Sequence, residues 1–268
     1  MHPGFLVDVE WVDQGLAAGK VHVVDARPAQ MYASGHIPGA VHLDIYSLQT
    51  SDTSREGLAR FREAMARELG RVGVGPETCV VFYENFSGTL AARGVWLLLY
   101  LGHSDVHLLD GGLRRWEACG RPVTTAPAAA KPTMFMPDEV EELATGFERI
   151  RDRLGSPELQ LLDVRKAEEY AGAEAHAARG GHIPGAVHLE WKANLMPDGR
   201  FRSAEELAAL YRGIGLDPHR EVIAYCQGGG RSAHSFLALR LAGYGRVRNY
   251  VSSWSEWGNR PELPVERS

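Results

Sequence analysis

Short apolar runs alternate with amphipathic stretches along the chain. Residues 80–83 and 222–225 are apolar and rich in β-branched or aromatic side chains, and residues 61–69 and 204–211 place apolar side chains at helical spacing. Strands that alternate with helices are typical of βα units, in which parallel strands form a sheet covered by helices. The pattern therefore predicts an α/β fold built on mostly parallel sheets flanked by helices.

The pattern occurs twice. The nine residues Gly-His-Ile-Pro-Gly-Ala-Val-His-Leu at 35–43 recur unchanged at 181–189, and a strand-like run ending in Asp-x-Arg precedes each copy. The distance between the copies suits a duplicated domain and is too long for a solenoid repeat. The chain is therefore expected to contain two domains of the same kind.

A stretch without periodicity separates the two halves. Residues 124–132 are rich in Ala and Pro, a composition typical of linkers. We predict an N-terminal domain at 5–124, a linker at 125–137 and a C-terminal domain at 138–267.

Composition and charge exclude several functional classes. The chain is 44% hydrophobic and 24% charged with a formal net charge of -5, and it has no long run of Lys and Arg. No apolar run approaches the roughly 20 residues that span a bilayer. We expect no nucleic-acid partner and no membrane partner. Residues 1–5 lack the basic and apolar regions of a secretory signal, so a cytoplasmic location is expected.

Three cysteines, Cys79, Cys119 and Cys226, lie far apart without a Cys-x-x-Cys pair. This spacing argues against a disulfide framework and against a cysteine-rich zinc site. Cys79 opens an apolar strand and Cys119 follows a helix, so both are interpreted as packing residues. No metal or cofactor is expected.

The third cysteine lies in a different setting. A strand ends at Tyr225, a glycine-rich turn follows, and a helix is predicted to start near Arg231. Backbone N–H groups at such a helix start form an anion cradle. The candidate nucleophile is Cys226, and the candidate substrate-binding residues are Gln227, Gly228, Gly229, Gly230, Arg231 and Ser232.

The chemistry follows from the position of the thiol. The cradle, the helix dipole and Arg231 should lower the pKa of Cys226 below the value of about 8.5 for a free thiol. The same groups would hold a persulfide, and Arg231 would receive the anionic end of a sulfur donor. The alternative is an ordinary buried cysteine at a strand end, but the glycines and the arginine favour a nucleophile.

In this order, and doubled, the motifs resemble the tandem-domain rhodaneses, the thiosulfate and 3-mercaptopyruvate sulfurtransferases. The resemblance covers nearly the whole chain and includes a Ser-Trp-Ser-Glu-Trp segment at 253–257, which places Trp254 and Trp257 near the site. It implies two tandem rhodanese-like domains, of which the second carries the cysteine. Glu84 occupies the equivalent position in the first half, so the first domain is expected to be catalytically inactive.

The resemblance also implies a reaction. Sulfane sulfur would pass from a small anionic donor, thiosulfate, through a Cys226 persulfide to a thiophilic acceptor such as cyanide, a thiol or a protein thiol. Gln227 and Arg231 differ from the Cys-Gly-Ser-Gly-Val/Ile-Thr loop of mercaptopyruvate enzymes, which favours thiosulfate. Related phosphatases carry one more residue between Cys and Arg, so phosphatase activity is the weaker enzyme hypothesis. A 3-mercaptopyruvate sulfurtransferase and a non-enzymatic persulfide carrier or sensor remain alternatives.

One position departs from the family pattern. Many members carry an arginine before the tyrosine that follows Asp-x-Arg, whereas this chain has Glu169 before Tyr170. A donor-binding cation is therefore missing there, and Lys192 or Arg179 are the candidates to replace it.

Other polar side chains recur in both halves, including the half without the cysteine. We interpret the Asp-x-Arg pairs as structural ion pairs and the histidines of the repeated motif as structural instead of metal ligands. His234, one turn past the loop, is also interpreted as structural. The residues concerned are Asp25, Arg27, Asp163, Arg165, His36, His42, His182 and His188.

Overall fold

The structure is a computed structural model that describes residues 4–267. The prediction that residues 1–5 lack a secretory signal falls partly on residues 1–3, which lie outside the described part. Within it, no helix is long and apolar enough to cross a membrane. The described residues divide into two compact units, the first of residues 4–48, 60–140 and 195–201, and the second of residues 49–59, 141–194 and 202–267.

The first unit contains a five-stranded sheet in the order β1-β5-β4-β2-β3, with every neighbouring pair parallel. Its strands are β1 (Leu6–Val7), β2 (His22–Asp25), β3 (Val41–His42), β4 (Val80–Tyr83) and β5 (Val106–Leu109). The helices of this half are α1 (Val9–Ala17), α2 (Ala29–Ser34), α3 (Arg55–Arg71), α4 (Thr89–Tyr100) and α5 (Gly112–Ala118).

The second unit repeats this topology, with strand order β6-β10-β9-β7-β8 and all pairs parallel. Its strands are β6 (Ala144–Thr145), β7 (Leu159–Asp163), β8 (Val187–His188), β9 (Glu221–Tyr225) and β10 (Val247–Tyr250). Its helices are α6 (Phe147–Arg151), α7 (Ala167–Ala171), α8 (Ala204–Gly213), α9 (Gly230–Leu241) and α10 (Ser253–Trp257), with short 3-10 turns at Glu141–Leu143 and Trp191–Asn194.

The predicted α/β class and the parallel sheets are confirmed. The central strands β4 and β9 are buried along their whole length, as expected when helices cover both faces of a parallel sheet. The predicted helix at 61–69 extends over Arg55–Arg71, and the one at 204–211 runs to Gly213. Ser203 and Glu206 form a capping box that fixes the start of α8.

Each unit includes a short segment from the opposite half of the sequence. In the first unit, Ser87 N–H donates to Gly199 O (2.9 Å) and Phe201 N–H donates to the Asp110 carboxylate (3.0 Å). In the second unit, the Thr53 hydroxyl donates to Glu256 at 2.6 Å. These long-range hydrogen bonds join residues 195–201 to the first unit and residues 49–59 to the second.

The Asp-x-Arg pairs are structural in both units. Arg27 is bound to Asp25 and also donates to Gly35 O at 2.6 Å; Arg165 is bound to Asp163 and donates to Gly181 O at 2.7 Å. The pair thus ties a strand end to the first glycine of the repeated motif. The interpretation as structural ion pairs is confirmed.

The repeated histidines bond to backbone carbonyls. His42 Nε2 lies 2.8 Å from Arg27 O, and His188 Nε2 lies 2.8 Å from Arg165 O. His36 and His182 each stack on a tyrosine ring at a centroid distance of 3.8 Å. Their role in shaping the motif matches the structural interpretation.

Candidate active site

The candidate nucleophile follows the central strand of the second unit. β9 ends at Tyr225, whose hydroxyl accepts a hydrogen bond from Ile183 N–H at 3.0 Å, and α9 begins at Gly230. Cys226 is 1% exposed at the start of the intervening loop. The end of the strand therefore places the thiol beside the amino end of a 12-residue helix.

Donors from the loop converge on the sulfur. Gly229 N–H points at Cys226 Sγ from 3.2 Å, and the Ser232 hydroxyl lies 3.4 Å from the same atom. Both donors favour a negatively charged sulfur. The loop thus forms the anion cradle that the sequence indicated, with the sulfur inside it.

One glycine of the turn has a strict backbone requirement. Gly229 has φ +83°, and a Cβ built there would lie 2.2 Å from Val251 O. Any other residue would meet both backbone strain and a steric clash. Gly228 and Gly230 do not have positive φ, so of the three glycines only Gly229 uses the left-handed region.

The surroundings lower the pKa of the Cys226 thiol. Burial is the largest influence and opposes ionisation, but the Arg231 charge, the Ser232 hydroxyl and the backbone N–H groups of Ser232 and Gly228 together outweigh it. The thiolate is the nucleophilic form of cysteine. The site therefore favours the reactive form despite its burial.

Ser253 is a site residue that the sequence analysis did not select. Its Oγ accepts the Cys226 N–H at 3.0 Å and donates to Tyr250 O at 2.7 Å, and it lies 3.9 Å from Cys226 Sγ. It has φ +53°, the left-handed value that is uncommon for a non-glycine residue. The corresponding position in the first half is Gly112, with φ +58°. A serine at a position where the other copy of the repeat has a glycine was the sequence signal that could have identified Ser253.

The start of α10 holds the loop backbone. Trp254 N–H donates to Cys226 O at 3.0 Å, and Ser255 N–H donates to Gln227 O at 2.8 Å. The Trp254 indole N–H donates to Arg179 O at 2.9 Å, while Trp257 is buried in the core. Of the two tryptophans predicted near the site, Trp254 touches the loop through its backbone.

Arg231 is not left free for a donor. Its guanidinium makes two hydrogen bonds to the Glu169 carboxylate, at 2.6 and 2.8 Å, and Glu169 is 2% exposed. Burial opposes ionisation of Glu169, but the Arg231 partner lowers its pKa overall. In the sequence, Glu169 indicated that a donor-binding cation is missing. In the structure, Glu169 also pairs with Arg231, the cation of the loop.

The two cations considered as replacements are placed elsewhere. Arg179 donates to backbone carbonyls, Trp257 O at 2.9 Å and Leu263 O at 2.7 Å among them. Lys192 is exposed and lies 3.5 Å from Glu190. Arg179 is therefore a structural residue, and Lys192 forms a surface ion pair.

Two further predicted residues have structural contacts. The Gln227 side chain donates to His176 O at 3.0 Å. His234 is buried on α9, with its ring 5.0 Å from that of Trp191. Of the predicted site residues, Gly229, Arg231 and Ser232, together with the N–H of Gly228, act on the Cys226 sulfur through hydrogen bonds or charge.

The first unit has the same loop filled by a side chain. Glu84 follows β4, and its carboxylate accepts N–H bonds from Leu90 (2.5 Å) and Ala91 (3.0 Å) in the first turn of α4. Burial raises the Glu84 pKa to about 7, against the effect of these two donors. The backbone N–H groups that would receive an anion at this helix start already have an internal acceptor in Glu84.

Comparison with known proteins agrees with the geometry. The profile of the Rhodanese-like domain matches residues 8–119 and again 147–260. A thiosulfate sulfurtransferase of Azotobacter vinelandii is 37% identical over 254 residues, covering 94% of this chain and 93% of that protein. The sulfur carrier protein TtuD of Thermus thermophilus is 34% identical over 284 residues, covering 99% of this chain and 98% of that protein.

Solved structures show the same likeness. A variant of EanB with a cysteine persulfide, in a tetrahedral intermediate state with ergothioneine, superposes with a TM-score of 0.88 at 26% identity. The match covers 98% of this chain and 70% of that one. The doubled profile match and the full-length relatives show that the chain belongs to the rhodanese family and carries two rhodanese-like domains.

Proposed function

We propose that the protein is a thiosulfate sulfurtransferase that works through a persulfide on Cys226. The thiolate attacks the outer sulfur of thiosulfate, a new S–S bond forms, and the bond to the central sulfur breaks so that sulfite leaves with the electron pair. An acceptor, cyanide or a thiol, then attacks the outer sulfur of the persulfide and restores the thiolate. The two half-reactions predict ping-pong kinetics.

The observation that carries the proposal is the convergence of the Gly229 N–H and the Ser232 hydroxyl on Cys226 Sγ. The loop stabilises the thiolate before the reaction and offers hydrogen-bond donors to the sulfur that is added. Oriented donors in a site of low water content stabilise charge without reorganisation during the reaction. Burial of Cys226 would also protect the persulfide from unwanted thiols.

The comparisons support both the donor and the intermediate. Relatives that cover nearly the whole chain are named thiosulfate sulfurtransferase, and EanB has been solved with a cysteine persulfide. The first unit, with Glu84 in place of a cysteine, supplies no nucleophile at the equivalent position. We therefore assign the chemistry to the second unit.

The test is the mass of the cysteine-containing peptides. After reaction with thiosulfate and removal of excess donor, the Cys226 peptide should gain one sulfur atom, and sulfite should appear in equal amount. Cys226→Ser should abolish both signals, whereas Cys119→Ser, at an exposed cysteine, should change neither. Sulfite release that persists in Cys226→Ser would disprove the proposal.

A second candidate function is a sulfur carrier that passes its persulfide to a partner protein. The observation that favours it is the Glu169–Arg231 pair, which reduces the positive charge available to a free dianionic donor. The Thermus relative is named a sulfur carrier protein. A carrier would form the Cys226 persulfide but turn over small acceptors slowly.

Steady-state rates separate the candidates. Thiosulfate and 3-mercaptopyruvate are compared as donors with cyanide as acceptor, in the same buffer and at matched concentrations. Fast turnover with thiosulfate supports the enzyme, and fast turnover with 3-mercaptopyruvate alone would replace the donor in our proposal. Stoichiometric persulfide with negligible turnover, and sulfur transfer to a protein thiol, would identify the carrier.

A further inference from the structure

A second cluster of reactive side chains lies in the first unit. Cys79 Sγ, a carboxylate oxygen of Asp105 and a ring nitrogen of His107 all lie within 4.8 Å of one another. Among residues 4–267, this is the one group of at least three Cys, His, Asp or Glu side chains found at such close range. The Cys226 loop does not use any of them.

The sheet register holds the three residues together. β4 and β5 are adjacent and parallel, with Val80 opposite Val106 and Val81 opposite His107. Cys79 and Asp105 each precede the first residue of their strand, and Val80 N–H donates to Asp105 O at 2.9 Å. Side chains at alternate positions of a strand lie on the same face, so Asp105 and His107 share a face.

The ring of His107 lies between a backbone carbonyl and a carboxylate. Nδ1 lies 3.3 Å from Gly4 O, and Nε2 lies 3.1 Å from Asp105 Oδ1. In the tautomer with the proton on Nδ1, that nitrogen donates to Gly4 O and the Nε2 lone pair faces Asp105. In that tautomer both side chains present ligand atoms to the same space.

Cys79 also contacts Asp105. Its thiol hydrogen-bonds to the Asp105 carboxylate. A metal ion would take the place of the thiol proton and offset the carboxylate charge. Asp105 therefore contacts both the thiol and the imidazole, and one ligand atom of each residue lies within 4.8 Å of the other two.

We propose that Cys79, Asp105 and His107 form a zinc site. Thiolate, imidazole and carboxylate together match the ligand preferences of Zn²⁺ and not those of Mg²⁺ or Ca²⁺. Bonds of roughly 2.0–2.3 Å place the ligands of a tetrahedral zinc roughly 3.3–3.8 Å apart, so shifts of about 1 Å suffice. The Nδ1 contact with Gly4 O is the outer-shell hydrogen bond that orients a ligating imidazole.

The fourth position of the ion faces an open groove. The three residues line a cavity of about 560 Å³ together with Trp11, Gln14, Gly15, Ala18, Lys20 and Val21. Three protein ligands with an accessible fourth position leave room for a water or another exogenous ligand. The spacing of the cysteines and the repetition of the histidines predicted no metal site, because neither pattern reveals a mixed set of ligands across two strands.

Cobalt substitution tests the site, because a thiolate bound to Co²⁺ gives a sulfur-to-metal charge-transfer band in the near ultraviolet. The full chain is prepared with Cys119→Ser and Cys226→Ser, so that Cys79 is the remaining thiol. One equivalent of Co²⁺ should produce the band, and added Zn²⁺ should displace the Co²⁺ and remove the band. Absence of the band in this protein overturns the proposal.

Variants of the ligands identify the donors. Added singly, Cys79→Ser should abolish the band, and His107→Gln or Asp105→Asn should abolish it or lower the affinity by at least tenfold. His219→Gln, an exposed histidine, is the matched control and should change nothing. A band that is unchanged in His107→Gln would show that the cluster is not the site.

A measurement on the unmutated protein does not depend on the folding of any variant. Zinc should protect the Cys79 peptide from alkylation by iodoacetamide, while alkylation of Cys119 continues at its metal-free rate. Equal alkylation of Cys79 with and without zinc would overturn the proposal. The outcome is independent of sulfur transfer, since the site lies outside the Cys226 loop.

Discussion

The pairing of Arg231 with Glu169 predicts that the chain restrains its own affinity for anionic donors. The perturbation is Glu169→Gln, which keeps the shape of the side chain and one acceptor oxygen but removes the charge. Arg231 is 23% exposed in its side chain, so its guanidinium remains within reach of solvent and of a small anion. The variant should expose a cation that the wild-type protein neutralises.

The magnitude follows from the two hydrogen bonds of 2.6 and 2.8 Å that Arg231 now makes to Glu169. A hydrogen bond to a charged group contributes about 1.5–3 kcal/mol, and each 1.4 kcal/mol is about a factor of ten in affinity. If one such bond is transferred to thiosulfate, its KM should fall by about tenfold or more. Because the Arg231 side chain is partly exposed, the free energy of unfolding should fall by about 1–3 kcal/mol, less than for a fully buried pair.

The assay is initial-rate kinetics with thiosulfate as the varied substrate and cyanide as acceptor, at low and high ionic strength. The gain in Glu169→Gln should shrink with salt, because an exposed charge is screened. The matched control is Glu168→Gln, an exposed carboxylate on the same helix, which should leave KM unchanged. An unchanged or higher KM in Glu169→Gln would refute the reasoning and show that Glu169 positions Arg231 for catalysis.

Four further predictions concern other parts of the molecule. Because the pKa of Cys226 is lowered, its alkylation rate should rise with pH and reach half its maximum at a lower pH than that of a free thiol measured beside it. A midpoint at or above that of the free thiol would contradict the lowered pKa. Ser253→Ala removes the acceptor of the Cys226 N–H and should lower kcat by about tenfold, since an unsatisfied buried donor costs about 1–3 kcal/mol. The control is Ser255→Ala, because the Ser255 hydroxyl donates to Ser252 O. Equal rates in both variants would count against a role for Ser253. Glu84→Ala should lower the midpoint of urea unfolding, because two N–H groups lose their acceptor. The turnover per folded molecule should stay within about twofold of the wild-type value. A loss of several orders of magnitude would show that the first unit takes part in the chemistry. The Glu221 side chain is 3% exposed and pairs with Arg149, Arg153 and Arg248, which lower its pKa to about 2 despite burial. The ionised carboxylate stabilises the fold at neutral pH, and this contribution is lost as the pH falls from about 4.5 through 2. Glu221→Gln should therefore lower the free energy of unfolding by about 1–3 kcal/mol at pH 7 and by much less at pH 3, whereas a pH-independent difference would contradict this linkage.

The fold could be predicted, and a candidate nucleophile could be named, because their signals are local or repeated. The alternation of strands and helices, the duplicated nine-residue motif and the Asp-x-Arg pairs each indicate structure over a few residues. Cys226 is identified by its neighbours in the chain, a strand before it, Gly229 in the turn and a helix after it. Such features depend on backbone geometry, which the sequence specifies directly.

Other features depend on which strands lie side by side. β9 lies between β7 and β10, so the elements that follow those strands flank the Cys226 loop. That order brings Glu169, 62 residues away in sequence, onto Arg231, and brings Ser253 onto the Cys226 N–H. The placement of residues 49–59 in the second unit and of residues 195–201 in the first also depends on contacts between distant residues. The approach of Cys79 to Asp105 and His107 has the same origin.

The sequence by itself therefore determined that this protein has two copies of one α/β domain, and it indicated Cys226 in the second as the candidate nucleophile. The tertiary structure decided how that cysteine is supported, how far the charge of Arg231 is neutralised, and which polar side chains meet elsewhere. The physical reason is that hydrophobic period and turn chemistry act along the chain, whereas hydrogen bonds and ion pairs between side chains require positions that only the packed sheet provides.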